Sequence, residues 1–359
     1  MSQLKIATWN TEWMVSIFGG LWKAWQSPFI PDTFKGKTLG TMRLEPIADV
    51  PGLCQRMAGV IKGMGALIIG IQEAPPLKEQ MEVFVQRFLG DEYVVHYSNS
   101  NLQSICALVH RSISDRVTAL DPKGPETKLL RSTVQCYTWG GVTPKDQKPH
   151  HFDRYPLVLD FSPEAGKGLR IIVVHTKSKH SKLTPKLWEK RDRAAILDAL
   201  DARRKLSAEV SVLRQFLDKQ LEPPNENKAL VVVGDCNDGP AQELMEQEFL
   251  VHNIIDEVVG SLLYPTRHFR HAMEPDVLAV AASTYFADPF QGGQVKPDLI
   301  DHILVSPGIW QKTSPFKLRK NSCRVETKIY DKYNAETESV HERGLRPSDH
   351  RPISAVITY

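Results

Sequence analysis

The sequence predicts a mixed α/β protein whose sheets combine hairpin-linked and helix-linked strands. Nine short runs, rich in Val and Ile and closed by turn or polar residues, have the length of buried strands. Between some of them lie stretches whose apolar residues recur three and four apart, as on an amphipathic helix; others follow one another too closely for a helix to intervene. No Pro/Gly/Ser-rich linker and no internal repeat divides the 359 residues. The whole span 1–359 is therefore expected to be one domain, although about 150 residues per domain would suggest two.

Taken in order, LKIATWN (4–10) is the first strand. Residues 14–45 look irregular, with Trp22, Trp25, Phe29 and Phe34 among glycines, prolines and lysines, and are expected to be an inserted loop. Its aromatics, beside Lys23, Lys35 and Lys37, either stack on bases or pack on the protein's own surface. Residues 53–64 put Leu53, Met57, Val60, Ile61 and Met64 on one helical face; ALIIGIQE (66–73) follows as a strand. Residues 77–89 repeat the helical pattern with Leu77, Met81, Phe84, Val85 and Phe88. YVVHYS (93–98) with ICALVHR (105–111), and LVLDFS (157–162) with LRIIVVHT (169–176), are spaced as hairpins. Residues 187–218 make a long helix with Ile196, Leu197 and Leu200 in its stripe, and ALVVVGDCN (229–237) is the next strand. A short helix over 240–249 starts near Pro240, where a missing N–H does no harm. HILVS (302–306) and AVIT (355–358) complete the strands.

Composition narrows the class. Hydrophobic residues at 42% and charged residues at 24% exclude a disordered chain, and 22 Gly and 24 Pro without a period exclude collagen-like repeats. A net charge of +3 is too mild to imply nucleic acid by itself. Cys54, Cys106, Cys136, Cys236 and Cys323 are far apart and form no Cys-x-x-Cys pair, which points to a reducing compartment, not to a disulfide framework or structural zinc. No charged leader with a long apolar run opens MSQLKIATWN, and no run of 18 apolar residues occurs, so a soluble, cytoplasmic protein without a membrane span is expected.

The buried runs end abruptly in polar residues. IATW ends in Asn10, IIGIQ in Glu73, IIVV in His175, and LVVVG in Asp235 with Asn237 two positions on; Asp301 abuts HILVS, and Asp349 and His350 precede RPISAVIT. Singly, each reads as a turn former or a satisfied polar residue. As an ordered set (TWN, QE, HTKS, GDCN, IDHILVS, SDHRP) they place acids, amides and imidazoles at the rims of rigid strands.

That set resembles the endonuclease/exonuclease/phosphatase superfamily, which includes pancreatic-type deoxyribonuclease and exonuclease III-like enzymes. The resemblance spans residues 4–358. It implies an α/β four-layer sandwich: two packed mixed β-sheets flanked by helices, with the site at one end. It implies Glu73 as principal metal carboxylate, with Asn10 and Asp349 as neighbouring ligands or water-holders. An oxygen-rich set without thiolates suits Mg²⁺ or Mn²⁺. His350 corresponds to the histidine at the scissile phosphate and Asp301 to its orienting partner. Asp235 and Asn237 correspond to the pair that orients water and binds phosphate oxygens; relatives differ on whether the base is the histidine or the first aspartate, and both stay open here. His175 matches the histidine of pancreatic-type deoxyribonucleases, where many members carry Asn. Arg154, in RYPL, resembles a segment that brings a guanidinium to the phosphate. Glu12 is either a further acid near the metal or a surface turn residue. Asp298 reads as a loop residue, and Cys236 as a core filler in a position usually aromatic or apolar.

The segment 177–205 holds ten Lys/Arg against four Asp/Glu, a net of +6 beginning two residues after His175. Lys177 and Lys179 would meet phosphates flanking the cleaved bond, unless the stretch is simply a solvated helix face; residues 317–328 form a second basic stretch. The expectation is a metal-dependent phosphodiesterase acting on nucleic acid, DNA first. The alternative is a phosphatase or phosphodiesterase on a small molecule or lipid head group. For the lipid version, residues 17–30 are the candidate membrane-inserting element, interrupted by Lys23. A third reading, an inactive binding-only member, is opposed by the intact polar set.

Overall fold

The computed structural model describes residues 2–19, 28–39, 42–99, 101–135, 148–239, 243–249, 253–337 and 339–359. In chain order the strands of its two large sheets are β1 (Gln3–Asn10), β2 (Ile68–Ala74), β3 (Tyr93–Tyr97), β4 (Ser104–His110), β5 (Val117–Ala119), β6 (Leu157–Glu164), β7 (Lys167–His175), β8 (Ala229–Asp235), β9 (Arg270–His271), β10 (Asp301–Val305), β11 (Lys317–Leu318), β12 (Arg324–Val325) and β13 (Ile353–Thr358). The first sheet runs β11-β13-β1-β2-β4-β3, with β12 also on β13; the second runs β9-β10-β8-β7-β6-β5. Both are mixed. β1 is parallel to β2 and β7 to β8, while β3/β4 and β6/β7 are antiparallel, as their close spacing predicted.

Each strand interior alternates between two apolar environments, because successive side chains point to opposite faces. Leu4, Ile6 and Ile68 from the first sheet meet Leu159, Ile171, Val173, Val231, Val233 and Ile303 from the second in a core between the sheets. The opposite face of the first sheet, with Ala7, Trp9, Ile69 and Ile71, is covered by helices α1 (Val50–Met64) and α2 (Lys78–Phe88). The opposite face of the second, with Ile172, Val174, Val232 and Leu304, is covered by α3 (Arg193–Gln220) and α4 (Ile254–Val259). The result is four layers, helix on sheet on sheet on helix. The sheets approach closely at Gly70 of β2, where a Cβ would lie 2.7 Å from a methyl of Val173.

Element boundaries follow local chemistry. Asp49 caps α1 by accepting the Gly52 N–H at 2.8 Å, and Gly65, at φ +57°, ends it, so the helix begins three residues before its apolar stripe. The helix expected over 187–218 is broken. A short helix, Pro185–Glu189, stops before Arg191, which is at φ +52°, and Asp192 then caps α3 through the Ala195 N–H at 2.9 Å. The short helix expected over 240–249 spans Leu244–Phe249, and Pro240 lies outside the described residues.

The segment 14–45 corrects the expectation of an irregular inserted loop. Met14–Phe18 form a 3-10 turn that is wholly buried, Ile30, Phe34 and Leu44 join the core beside α1, and Lys37–Leu39 pairs with Met42–Leu44. Burial of these side chains makes much of the segment part of the helix-side core. Trp22, Lys23 and Trp25 lie outside the described residues.

Candidate active site

Strand alternation assembles the site at one end of the inter-sheet core. Asn10 follows Ile6 and Thr8 on β1, His175 follows Val173 on β7, Asp235 follows Val233 on β8, and Asp301 precedes Ile303 on the antiparallel β10. All four sit in phase with the inner face, at the same end of their strands. Register places His175 opposite Asp235, and Asp235 opposite Asp301.

Glu73 is out of phase, since alternation would send it with Ile69 and Ile71 toward the helices. A register slip against β4 between Ile71 and Ala74, and a left-handed φ of +57° at Glu73, turn the carboxylate back. Its Oε2 accepts the Trp13 N–H at 2.6 Å and its Oε1 the Asn10 Nδ2 at 3.3 Å; the same Nδ2 donates to Asp235 Oδ2 at 2.9 Å. Asn10 thus ties the two sheets together. Its Oδ1 takes the Glu12 N–H at 3.0 Å, so both ends of the amide are engaged, and the Asn10 amide spaces the two carboxylates.

His350 follows the turn after Ser348, whose Oγ donates to Asn10 O at 2.7 Å and accepts the His350 N–H at 3.0 Å. His350 Nδ1 lies 2.7 Å from Asp301 Oδ2, and its Nε2 faces Asp349 Oδ1 at 3.9 Å. Asp235 Oδ1 accepts the Asn237 N–H at 2.7 Å, and Asn237, at φ +50°, donates Nδ2 to Thr176 O at 2.9 Å. His175 Nε2 stands 3.6 Å from Asp235 Oδ2, while its buried Nδ1 meets no hydrogen-bond partner.

The electrostatics separate the two imidazoles. Burial opposes charge on His350, but Asp301 and then Asp349 outweigh it and raise its pKa well above that of free histidine. His175 goes the other way: burial, then Arg154 and His350, hold it neutral. Asp235 is raised by burial and by Asp301. Asp349 keeps a half-exposed side chain at the rim, and desolvation with Glu12 and Glu73 pushes it up to about 7.

The remaining expected residues divide. Lys177 is half-buried beside Arg154. Lys179, expected to meet a phosphate, is instead drawn into Asp238 (2.7 Å), Glu243 and Glu246 (3.5 Å), which neutralise it. Arg154, expected at the phosphate, spends its guanidinium on protein: His175 O at 3.3 Å, Thr176 O at 2.6 Å and Gln103 Oε1 at 2.5 Å. Glu12 is clamped by Arg346 through both carboxylate oxygens and lies 3.3 Å from Arg343; against its burial, the two arginines hold its pKa low. Ser348, Arg343 and Arg346 join the site without having been expected there. Ser348 stands inside the SDHRP motif and was recoverable; the arginines sit in a stretch without periodicity.

Among the described residues, Asp235, Asp301 and His350 bring ligand atoms within 4.8 Å of one another, near enough to hold a cation, and Glu73 and Asp349 carry no Lys or Arg ion pair. Cys236 points into the α3-side core. A second acidic group, Asp238, Glu243 and Glu246, is already occupied by Lys179 and Arg203.

No family model matches the sequence, and no curated protein matches it. Solved structures do. A mannosyl-6-phosphatase from Bacteroides thetaiotaomicron is similar with a TM-score of 0.50 at 11% identity, over 99% of this chain and 100% of its own. An endonuclease/exonuclease/phosphatase family protein of the same organism has a TM-score of 0.50 at 11% identity, over 99% and 98%. TDP2 from D. rerio, complexed with a single-strand DNA product, has a TM-score of 0.47 at 13% identity, over 100% of both chains. The chain has the endonuclease/exonuclease/phosphatase fold. Every strand end that carries the expected polar set lies at the same end of that sandwich.

Proposed function

We propose that this protein is a divalent-metal-dependent phosphoric ester hydrolase, and that its substrate is a DNA phosphodiester. The observation that carries the hydrolase reading is the convergence, from both sheets, of Glu73, Asp235 and the Asp301–His350 pair around Asn10. A phosphodiester needs charge neutralisation, an oriented water and a proton donor within one small volume. Glu73 and Asp349 would hold Mg²⁺ or Mn²⁺, which when bound neutralises phosphoryl charge. His350, kept cationic by Asp301, presents Nε2–H to a phosphate oxygen. A histidine held in that state is a donor, so the base falls to Asp235, oriented by the Asn237 N–H and by Asn10. Neutral His175 and the second Nδ2–H of Asn237 offer further hydrogen bonds to the phosphate.

Lys177, two residues beyond His175, supports a polymer that extends past the cleaved bond. The withdrawal of Lys179 and of Arg203 into carboxylates supports the second reading, a small phosphoester that needs little flanking charge. The four described cysteines are free and buried, which supports a reducing, cytoplasmic setting. No helix among the described residues is long and apolar enough to cross a membrane.

The test incubates the protein with end-labelled single- and double-stranded DNA and RNA, and with a panel of small phosphomonoesters, in Mg²⁺, Mn²⁺ or EDTA, beside His350→Ala. Metal-dependent cleavage of DNA that His350→Ala lacks is the expected result. Phosphate release from the monoesters alone would move the substrate to the second reading. Inertness toward every ester would overturn both.

A further inference from the structure

One buried carboxylate behind the site has no place in the chemistry above. Glu209 lies in the middle of α3 at 1% exposure, among Leu206, Val210 and Leu213. Desolvating a carboxylate there is costly unless hydrogen bonds compensate it. Three donors do. Lys177 N–H reaches Oε2 at 2.6 Å; His150 Nε2 reaches Oε1 at 3.1 Å and Asp153 N–H at 3.4 Å.

The first of these belongs to the peptide group joining Thr176 to Lys177. Its other end, Thr176 O, accepts Arg154 Nη2 at 2.6 Å and Asn237 Nδ2 at 2.9 Å. One peptide plane is therefore gripped by a carboxylate on its N–H and by a guanidinium on its C=O. Glu209 also fixes Asp153, and so the backbone that presents Arg154. Asn237 sits at φ +50°, an uncommon conformation for a residue other than glycine, and its side chain is anchored at this carbonyl.

We propose that Glu209 and Arg154 form a two-sided clamp on the 176–177 peptide, and that they are positioning residues for Asn237. The proposal rests on the hydrolase reading. The clamp touches no substrate; it prevents rotation of the plane to which the Asn237 amide is bonded. A displacement of about 1 Å at a reacting centre can cost about 10²-fold in rate.

The test is a double-mutant cycle on turnover of bis(4-nitrophenyl) phosphate with Mn²⁺. Glu209→Ala is expected to lower kcat by about 10²-fold with KM nearly unchanged. Glu209→Gln, which keeps one acceptor oxygen, should fall between it and the parent, and it carries the cycle if Glu209→Ala does not fold. In an Asn237→Ala background either change should cost less than about 3-fold, because the group being positioned is gone. Equal fold-losses in both backgrounds would mean a merely structural role and overturn the clamp, as would an unchanged kcat. Absence of turnover in the unmutated protein is a separate result: it sinks the hydrolase reading, and the positioning role with it.

Discussion

Replacing Gly70 with Ala tests whether the distance between the sheets sets the geometry of the site. The new Cβ would lie 2.7 Å from Val173 Cγ1 and 3.2 Å from both Val173 Cγ2 and Val233 Cγ2. Carbon atoms prefer about 3.5–4.0 Å, so the sheets must part by several tenths of an ångström or more. Rotating Val173 can turn only one of its two facing methyls away, and would push it into the buried packing around β7. Overpacking of this kind costs about 1–3 kcal/mol, more than the roughly 0.4–1 kcal/mol that Gly→Ala gains through the unfolded chain. For a chain of this size the net loss, about 2.6 kcal/mol at most, lowers Tm by up to about 3–4 °C. Val173 and Val233 are each two residues before a site residue, His175 and Asp235, while Gly70 is three before Glu73. The same displacement therefore widens the gap that Asn10 spans and should reduce kcat by about 10-fold or more. Thermal unfolding and steady-state kinetics on Gly70→Ala, Val173→Ala and the double variant are the assay. The double variant should be more stable than the two single losses predict by about 1 kcal/mol, since each change makes room for the other. A Gly70→Ala protein as stable and active as the parent would refute the reasoning, and so would additive losses in the double variant.

Asp301→Asn removes the charge that holds His350 as imidazolium while keeping the shape of the pair at 2.7 Å. The charge-assisted bond is worth about 1.5–3 kcal/mol, so kcat should drop by about 10- to 10²-fold. The alkaline limb of the rate profile should move to lower pH, because the raised pKa of His350 depends first on Asp301 among its attractive partners; a limb that stays in place contradicts the assignment. Glu73→Gln should abolish Mn²⁺ binding seen by calorimetry without lowering Tm in EDTA, and retained binding would remove Glu73 from the metal set. Acid stability should report His271, whose pKa burial and then His302 push down to about 3. Between that value and the unfolded pKa near 6.5 the unfolded chain binds the extra proton, so stability is full above about pH 6.5 and is lost as pH falls, by at most about 1.4 kcal/mol per pH unit. His271→Gln should flatten that slope in urea titrations at pH 4–7; an unchanged slope would assign the proton uptake elsewhere.

The strands were legible because the interior ones are buried on both faces, which leaves continuous Val/Ile runs such as IIVV and LVVV without polar interruption. The shortest strands were not legible: Val117–Ala119, Arg270–His271, Lys317–Leu318 and Arg324–Val325 have two or three residues, too few for any period, whereas the five-residue edge strand Tyr93–Tyr97 was read. The hairpin Thr284–Asp288/Gln294–Asp298 escaped for another reason. Its exposed Tyr285, Phe286 and Val295 give no contrast between a buried and a solvated face. The basic segment after His175 misled because charge in sequence does not say where a side chain points. Lys179 and Arg203 turn inward to Glu243 and Glu246, residues forty or more positions away.

The site itself was legible where it obeys alternation and obscure where it departs from it. Asn10, His175, Asp235 and Asp301 lie in phase with apolar inner-face neighbours, so period-2 reasoning alone would bring them together. Glu73 and Asn237 do not, and no propensity scale assigns a left-handed conformation to a glutamate after a buried strand. Among the described residues, eight other than glycine have positive φ, and four of them, Glu12, Trp13, Glu73 and Asn237, are at this site. Each is held by a bond the fold supplies: Glu12 by Arg346, Trp13 and Glu73 by one another, Asn237 by Thr176 O. Such conformations cost about 1–3 kcal/mol apiece and persist only where the surroundings over-determine them. The strain and its compensating bonds therefore belong to one design, in which rigid, in-phase strand ends supply four groups and strained turns, anchored from behind, deliver the groups that regular strands would face away.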